Sequence, residues 1–426
     1  MAEQMKPSGI DWIGDIPDEW DITKVRFVTK LRSEQGFYNS DDKYIGLENI
    51  SSYTGEYIST ESEYDAGIYD LYKTGDLLFS KLRPYLAKAL IADDCGFCTG
   101  ELAVIKEYNG DIRYLFYYML SDGFLKMVDA STYGAKMPRA SWDYIKNLQI
   151  PVIGKAEQQA IADFLDKECG QIDSIAADLE KQIALLQKYK KSLITETVTK
   201  GLDKSVPMKD SGIEGVGKIP SHWKVNRLKY AAVVKTGPFG TQLSASEYSD
   251  EGIPVINVKN IGYGTIIEDD LDYVPDEVCQ RLAQHQLQFG DIVFGRKGAV
   301  DKHAIITESQ IGWVQGSDCI RVRIYKDIES RYLNYLFDTV YFAEYVLLYA
   351  VGTTMASINS DILTNSKILV PPITEQRCIA DFLDSNCKVL SEIIENKQSQ
   401  LATLQQHKKS LIYEYVTGKK RVKEVQ

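Results

Sequence analysis

Long apolar runs are missing from this 426-residue chain, as are the basic start and apolar stretch of a secretory signal. A membrane-spanning helix needs roughly 18 or more consecutive apolar residues. The seven cysteines are scattered and too few for a disulfide framework in a chain of this length. We therefore expect a folded, cytoplasmic protein, and 44% hydrophobic and 26% charged residues are typical of such a chain.

Residues with catalytic or metal-binding chemistry are also scarce. The chain has only four histidines, and they are widely separated. The lone Cys95-Gly96-Phe97-Cys98 pair lacks the second pair of ligands that a zinc site requires. Residues 212–218 approach a phosphate-binding loop, but Ile219 stands where a Ser or Thr would hold Mg²⁺. The sequence therefore predicts no catalytic residues, no metal and no bound cofactor.

Positive charge is in deficit, with 49 Lys and Arg against 60 Asp and Glu and a net charge of -11. Taken alone, this balance argues against nucleic acid as the partner. The local balance differs, however, because residues 126–155 contain five Lys or Arg and two Asp. We therefore expect that a small basic surface can exist within an acidic chain.

The most informative feature is an internal repeat. Four segments return in the same order in the second half of the chain, at offsets that grow from 203 to 218 residues. The matching segments are 8–20 with 211–223, 75–79 with 290–294, 157–166 with 375–384, and 190–194 with 408–412. The offset changes only before the third match, so each copy combines a body of variable length with a tail of fixed register.

The two tails predict long helices. The first has apolar residues at coiled-coil spacings of three, four and seven, and the second repeats the pattern. The predicted seam consists of Ile161, Leu165, Ile172, Ile175, Leu179, Ile183, Leu186 and Leu193, then Ile379, Leu383, Leu390, Ile393, Leu401, Leu404 and Leu411. Gly201 and Gly418 are the expected helix stops. The two bodies have short β-rich runs between Gly and Asp turns, followed by helical segments.

These patterns predict an α+β protein in which two globular mixed α/β bodies are joined and spaced by two long antiparallel coiled-coil helices in a pseudo-twofold tandem repeat. The predicted divisions are body 1–155, spacer helix 156–205, body 206–373 and C-terminal helix 374–426. A helix of about 44 residues rises about 66 Å, enough to carry the chain away from its first body. The alternative is that each helix packs only on its own body.

The repeated motifs resemble those of type I restriction-modification specificity (S) subunits. Each copy opens with Ser-Gly-Ile-x-x-x-Gly-x-Ile-Pro-x-x-Trp, at Ser8 and Ser211, and continues through Gly-Asp-x-x-Phe. A Gly-x-x-Met segment, a Glu-Gln-x-x-Ile-Ala-x-Phe-Leu-Asp helix start and a Lys-Lys-Ser-Leu-Ile helix end follow. The resemblance covers essentially the whole chain.

This resemblance implies a non-catalytic subunit whose two bodies are target-recognition domains for the halves of a bipartite DNA site. Its implied partners are double-stranded DNA, two methyltransferase (M) subunits and restriction/translocase (R) subunits. S-adenosylmethionine, ATP and Mg²⁺ would be bound by those partner subunits, which methylate adenine or cleave DNA. Unequal bodies imply an asymmetric site, and half-sites on one face of B-DNA lie about 34–36 Å apart.

Candidate DNA contacts lie on loops rich in donors and positive charge, because such side chains contact bases and phosphates. Lys81 and Arg296 follow equivalent predicted strands, and each places a positively charged side chain just beyond a Phe that is expected to be buried. The resemblance favours the loops that contain Lys136 and Arg139 in the first copy and Thr353 and Thr354 in the second, while Met137 and Met355 are expected in the core. The full candidate set is Lys81, Arg83, Tyr85, Lys136, Arg139, Ser141, Lys235, Phe239, Thr241, Gln242, Asn257, Lys259, Asn260, Arg296, Lys297, Thr353, Thr354 and Ser357.

Two other functions remain open at this point. One is a coiled-coil scaffold without DNA readout, and the other is an enzyme that cleaves or methylates DNA by itself. Three tryptophans, Trp12, Trp20 and Trp223, are either partner anchors or core residues. The lysines of 408–409 and the basic residues of 419–421 either contact phosphates or keep the helix end soluble.

Overall fold

The computed structural model describes residues 4–134, 136–325, 327–352 and 356–422, without the side chain of Thr241. The chain forms two compact units. The first consists of Met1–Lys181 with Lys397–Gln426, and the second is Gln182–Asn396. Each long helix therefore contributes one segment to each unit. These units divide the chain differently from the four predicted segments, whose boundaries remain a prediction.

The first unit contains small sheets packed against short helices. Its strands are β1 (Met5–Pro7), β2 (Asp15–Pro17), β3 (Asp21–Lys24), β4 (Thr29–Leu31), β5 (Gln35–Tyr38), β6 (Tyr44–Ile45), β7 (Gly67–Tyr72), β8 (Leu77–Ser80), β9 (Ala89–Ile91), β10 (Gly96–Cys98), β11 (Leu102–Tyr108) and β12 (Gln149–Val152). Its helices are α1 (Val25–Val28), α2 (Ile112–Leu120), α3 (Asp122–Ala130), α4 (Trp142–Ile145) and the beginning of α5 (Lys155–Lys200). One four-stranded sheet has the order β4-β11-β8-β9, and the other β5-β7-β10-β6.

The second unit repeats this plan with different strand numbers. Its strands are β13 (Met208–Asp210), β14 (Lys218–Pro220), β15 (Lys224–Arg227), β16 (Ala232–Thr236), β17 (Ile253–Ile256), β18 (Tyr263–Gly264), β19 (Asp272–Val274), β20 (Ile292–Gly295), β21 (His303–Ile305), β22 (Val314–Gln315), β23 (Cys319–Ile324) and β24 (Lys367–Val370). Its helices are α6 (Asp276–Arg281), α7 (Ser330–Phe337), α8 (Val340–Tyr349), α9 (Ser360–Asn365) and the beginning of α10 (Ile373–Val416). The larger sheet has the order β16-β23-β20-β21-β18, and the smaller β19-β17-β22.

The repeated Gly-Asp motif stabilises the start of the central strand in each unit. Asp76, before β8, accepts two hydrogen bonds from the Arg32 guanidinium, at 2.7 and 3.1 Å. Asp291, before β20, accepts two from Arg323, at 2.8 and 2.6 Å. Both carboxylates are almost fully buried, so the bidentate arginine offsets the cost of removing their charge from water. Arg32 follows β4 whereas Arg323 lies in β23, and this difference hides the equivalence in the sequence.

The Glu-Gln helix start fastens each body to the beginning of a long helix. Glu157 accepts a hydrogen bond from the indole of Trp20 at 3.3 Å, and the buried Gln158 amide bonds the backbone of Asp111 and Ile153. In the second unit, Glu375 accepts a bond from Trp223 at 3.1 Å. Trp20 and Trp223 are fully buried, so these two tryptophans are core residues and not partner anchors.

The aspartates of the Ile-Ala-Asp-Phe-Leu-Asp motif continue this attachment along the helix. Arg113 donates to Asp163 and Asp166 at 2.7 Å each. Arg331 repeats this contact in the second unit, with bonds of 2.9 and 2.7 Å to the equivalent aspartates 218 residues later. Burial opposes the Asp111 charge, but hydrogen bonds from Arg113 hold the pKa of Asp111 below its usual value. The repeated acids are therefore structural.

Both long helices end at the predicted glycines. Gly201 and Gly418 have φ of 73° and 72°, in the left-handed region that ends helices and that glycine adopts without strain. A side chain at Gly418 would also collide with the Pro17 ring, 2.5 Å from the position of an added Cβ. The repeated opener thus packs closely on a helix end, which explains why the motif contains both a proline and a tryptophan.

Within each unit, the two long-helix segments run antiparallel, as predicted. In the first unit, Lys408 contacts the Asp173 carboxylate at 2.6 Å, and in the second, Lys190 donates to the Ser391 hydroxyl at 2.8 Å. The predicted fold class is confirmed, with mixed α/β bodies joined by long helices. One part of the predicted seam is wrong, because Ile175 and Ile393 are 50% and 39% exposed.

At this turn, the buried seam position is the next residue in the sequence in both long helices. Ala176 is partly buried and Ile394 is 8% exposed, and these positions are 218 residues apart. The buried positions around the first follow spacings of four, three and four residues, from Ile172 through Ala176 and Leu179 to Ile183. In the first copy the buried position holds a small alanine next to an isoleucine, and apolar size alone favours the larger residue.

Candidate functional site

In the first unit, the predicted DNA-contact residues lie at the end of β8, where the chain meets the loop before α4. The Lys81 carbonyl accepts a hydrogen bond from the Ala140 amide at 2.8 Å, and the Arg83 amide donates to the Pro138 carbonyl at 2.7 Å. The Arg83 guanidinium also approaches the Lys136 carbonyl at 3.5 Å. The structure therefore brings together two segments that are about 55 residues apart in the sequence. We call this region the first edge, comprising residues 81–85 and 133–141 without residue 135.

The first edge presents basic and aromatic side chains to solvent. Lys136 and Arg83 are exposed, and Tyr85 is 49% exposed. Met137 is 58% exposed, so its predicted place in the core is wrong. Tyr133, which the sequence did not single out, is 63% exposed on the same loop. Exposed aromatic rings beside positive charges are suited to contacts with nucleic-acid bases and phosphates.

Two members of the first edge also have structural partners. Arg139 forms an ion pair with Glu101, which lies just before β11. The Ser141 hydroxyl accepts a hydrogen bond from the Asp143 amide at 3.1 Å and caps the N-terminus of α4. Both side chains remain at the surface, but each would exchange an internal contact for a DNA contact.

The second unit has the same backbone arrangement at the end of β20. The Arg296 carbonyl accepts from the Ile358 amide at 2.9 Å, and the Gly298 amide donates to the Ala356 carbonyl at 2.9 Å. These bonds match those of Lys81 and Arg83 one by one, which confirms the alignment of Lys81 with Arg296. Lys297 pairs with Asp318 at 3.1 Å, and its backbone bridges to Ser357. We call residues 296–298 and 351–358, without 353–355, the second edge.

The loop of residues 235–242, which contains Gly237 and Gly240, reaches the second edge through a cation–π contact. The Arg296 guanidinium carbon lies 4.5 Å from the centre of the Phe239 ring, and this ring is 44% exposed. The Arg296 Nε is buried and has no hydrogen-bond partner among the described residues. Stacking on the ring restricts the guanidinium while its remaining N–H groups stay available. The sequence predicted both residues but not their contact.

Close backbone contact explains the glycine that precedes Phe239. A Cβ on Gly237 would lie 1.9 Å from the Gly316 carbonyl oxygen, which leaves no room for a side chain. Gln242 is exposed at the surface, and its carbonyl accepts a bond from Arg281 at 3.1 Å. The loop is therefore held at both ends, so Phe239 is presented from a supported position.

Lys235, at the start of this loop, belongs to a cluster of basic residues that also contains His285, Arg321 and Arg323. Burial lowers the pKa of Lys235, and the charges of Arg321 and Arg323 lower it further. Burial likewise lowers the pKa of His285 to about 4, with smaller effects from Lys235 and Arg321, so this imidazole is neutral at pH 7. Lys235 donates to the Gln284 side chain at 2.7 Å. Asp291 supplies one compensating negative charge to the arginines.

The candidates Asn257, Lys259 and Asn260 were expected on a strand, but they form a short turn after β17, in which some side chains are exposed and others buried. Lys259 is exposed but pairs with Asp270 and Asp272 at 3.0 and 3.1 Å, and Asn257 donates to Asp272 at 2.7 Å. Asn260 is fully buried, and its amide bonds the backbone of Asn257, Ile267 and Asp269. A base contact from Asn260 would break these bonds, so we remove it from the candidate set.

The first unit contains an equivalent buried asparagine that the sequence comparison missed. Asn49 accepts from the Gly46 amide at 2.8 Å and donates to the Ile58 carbonyl at 3.0 Å. Both asparagines close a short turn after a strand that pairs in parallel with another, β6 with β10 and β17 with β22. The shared Gly/Asn-x-x-Asn spacing is too short a signal to find without the structure.

Several predicted residues cannot be placed. Thr353, Thr354 and Met355 lie outside the described residues, as does the side chain of Thr241.

The basic end of α10 has partners within the chain. Lys408 bonds Asp173 and the Tyr53 carbonyl, and Lys409 lies over the Tyr53 ring. Further along, Arg421 forms ion pairs with Glu19 and Glu157. These contacts fasten the helix end to the first body.

In the part of the chain that the structure describes, no group of His, Cys, Asp and Glu has the arrangement of a metal site. Nor does any described helix combine the length and apolar character needed to cross a membrane. The first and second edges, with their basic and aromatic side chains, are therefore the candidate functional surfaces.

Comparison with known proteins relates this chain to restriction systems. A family model described as the type I restriction modification DNA specificity domain matches residues 220–403. The MjaVIII type I restriction enzyme specificity subunit of Methanocaldococcus jannaschii is 29% identical over 323 residues, covering 74% of this chain and 71% of the relative. The MjaIX specificity subunit of the same organism is 23% identical over 444 residues, covering 97% and 96% of the two chains.

The fold is also similar to that of a solved structure. A chain from a study of complex assembly and conformational transition of the type I R-M system superimposes with a TM-score of 0.67. The match covers 94% of this chain and 98% of the other at 17% sequence identity. At that identity the comparison concerns the fold, and the same architecture of bodies and long helices extends over nearly the whole chain.

Proposed function

We propose that this chain, which belongs to the family of type I restriction-modification specificity subunits, uses its two edges to read the two halves of an asymmetric DNA site. The observation that carries the proposal is the repeated edge itself. Lys81 and Arg296 have the same backbone bonds at the end of equivalent strands, and each stands beside a second exposed loop. A DNA-reading role accounts for a shared frame that carries different polar side chains.

The side chains divide by the kind of DNA contact they suit. Arg83, Lys136 and Lys297 present charge at the surface, as phosphate contacts require. Arg296 has a planar group oriented by Phe239 and suits bidentate contact with a guanine edge in the major groove. The two edges share no identical base-reading residue, so two different half-sequences follow.

The proposed partners complete the activity. Two methyltransferase subunits would assemble with this chain and modify adenine, and restriction/translocase subunits would cleave DNA. S-adenosylmethionine, ATP and Mg²⁺ would bind to those subunits, whereas this chain would supply sequence recognition without catalysis. A scaffold without DNA readout is not supported, because the matched relatives are named specificity subunits and the family model is a DNA specificity domain.

Co-expression with the methyltransferase encoded beside this chain tests the function. Genome-wide mapping of methylated adenine is expected to reveal one split, asymmetric motif with a spacer of fixed length. The same methyltransferase expressed without this chain is the matched control and should leave that motif unmodified. Absence of any split motif in the co-expressing cells would contradict the proposal.

A further inference from the structure

The two openers differ at a position that is filled in the first unit and open in the second. Trp12 packs between two tyrosine rings, with centroid distances of 5.7 Å to Tyr118 and 6.4 Å to Tyr413. The Tyr413 hydroxyl also donates to the Trp12 carbonyl at 3.3 Å. A Cβ on Gly123 would lie 2.0 Å from the indole, so glycine is required there to admit the ring. Three aromatic side chains thus close this part of the first unit.

In the second unit, the equivalents of those three rings are all smaller. Gly215 stands in the place of Trp12, Leu336 in that of Tyr118, and Thr195 in that of Tyr413. Tyr341 stands where the first unit has Gly123, and its Cβ is 3.4 Å from the position of a Cβ added to Gly215. One gained ring replaces only part of the lost volume.

A cleft of about 480 Å³ lies beside α5, with Gly215 and Thr195 in its wall, and we call it the Gly215 cleft. A wider cleft of about 1000 Å³ begins on the other side of Gly215, along α8. An internal cavity of ~150 Å³ is enough to hold a benzene ring. The Gly215 cleft therefore has room for an aromatic side chain, and Gly215 belongs to the walls of both clefts.

The walls of the Gly215 cleft combine apolar contact with positive charge. Val216 and Val340 supply apolar surface, and the Thr195 hydroxyl is buried without a hydrogen-bond partner in the described part of the chain. Three exposed lysines line the rim: Lys188, Lys191 and Lys200. The one acid in the wall, Glu196, is paired with Lys204 at 2.8 Å. The rim therefore favours a negatively charged partner.

We propose that the Gly215 cleft binds a tryptophan or tyrosine side chain presented by an acidic segment of a partner protein. The first unit supplies the precedent, because its own opener places Trp12 between Asp11 and Asp15 in the equivalent position. A buried indole or phenol also needs a hydrogen-bond partner, and Thr195 Oγ1 is available for one. The cleft would add protein docking to the DNA reading proposed above and does not depend on it.

A short peptide tests this site on the full-length protein. The probe is an acetylated and amidated Asp-Trp-Ile-Gly-Asp peptide, with 5-fluorotryptophan as its fluorine label and the sequence of residues 11–15. Binding is measured by broadening of the fluorine resonance and by competition with unlabelled peptide, including one with Ala in place of Trp. We expect saturable binding that weakens as salt increases, and no competition from the Ala peptide.

Two variants and one control locate the binding. Thr195→Tyr introduces the ring of the first unit into the cleft and should weaken peptide binding at least tenfold. Lys191→Glu should also weaken it, by charge repulsion, because Lys191 lies on the rim and the variant adds no ring to the cleft. Thr403→Tyr makes the same chemical change at an exposed position of α10 and should bind like the unaltered protein.

The contrary results are equally specific. Absence of saturable binding to the unaltered protein would overturn the proposal, as would equal binding by the Thr195→Tyr and unaltered proteins. Duplex DNA is the competing occupant. If DNA displaces the peptide and Thr195→Tyr weakens DNA binding, the cleft is a nucleic-acid site and the protein-docking proposal is wrong. Failure of methylation mapping alone would concern the DNA-reading function and leave this proposal intact.

Discussion

The first and second edges have the same backbone frame but different side chains. At the end of β8, Lys81 and Arg83 bond the neighbouring loop, and at the end of β20, Arg296 and Gly298 make the same two bonds. The second edge adds Phe239, whose ring supports Arg296, while the first edge exposes Tyr85 and Tyr133. The two edges therefore keep the same backbone bonds while their exposed groups differ, and under the proposed function these exposed groups would read different bases.

The largest expected effect concerns a second contact that the two units share, the one between each opener and a long helix. Trp20→Ala and Trp223→Ala should each destabilise their own unit by about 3–5 kcal/mol, because each removes a fully buried indole that packs on a helix end. Hydrogen exchange measured by mass spectrometry should show the greater loss of protection in the unit that carries the substitution. Uniform loss of protection across both units for both variants would show that the two units do not unfold separately.

A smaller effect distinguishes the chemistry of the second edge. Arg296→Ala should weaken binding to the cognate DNA by about 1–3 kcal/mol, or roughly 5- to 150-fold, because one bidentate base contact is lost. Arg296→Lys keeps the charge but loses the planar group that stacks on Phe239, and it should recover little of that affinity. Titration of duplex DNA by fluorescence anisotropy measures both. Full recovery by lysine would indicate a phosphate contact instead.

The first edge is expected to depend more on charge. The double substitution Lys136→Ala and Arg139→Ala should reduce recognition of one half-site and lower the slope of log affinity against log salt by about two, one for each lost phosphate contact. The matched control is Lys30→Ala with Lys106→Ala, which removes two charges near the opposite end of β11. A control slope that falls as much would show that net charge, rather than this edge, determines binding.

The smallest expected effect concerns backbone strain. Arg83 has φ of 48°, a left-handed conformation that costs a non-glycine residue about 1 kcal/mol or more, whereas its equivalent Gly298 has φ of 78°. Gly298→Ala should therefore destabilise the protein by about 1 kcal/mol. Arg83→Gly should leave stability nearly unchanged, since strain relief offsets the entropy of glycine, while lowering DNA affinity. Thermal unfolding and DNA titration measured together test this difference.

Much of the fold could be predicted because the repeat marks the positions that hold each body to its helices. The openers, the Gly-Asp turns and the helix starts all proved to be structural contacts. The prediction that Ile175 lies in the seam is wrong because the large apolar side chain is one position away from the buried side of the helix, and size alone does not show which side faces inward.

The site was less predictable because DNA contacts depend on which loops meet. The sequence indicated Arg296 and Phe239 separately, but only the fold shows that the guanidinium lies over the ring. Asn260 appeared suitable for base contact, yet it closes an internal turn, as Asn49 does in the first unit. An asparagine in a turn and one that reads a base have the same local sequence character, so burial was needed to distinguish them.

The most direct test of the central claim compares methylation motifs in co-expressing cells. Adenine methylation would be mapped for the unaltered chain, for Lys81→Ala and for Arg296→Ala, each with the same methyltransferase. The account predicts that Lys81→Ala relaxes or abolishes recognition of one half of a split motif and that Arg296→Ala affects only the other half. An unchanged motif in both variants, or the same half altered in both, would contradict the assignment of one edge to each half-site.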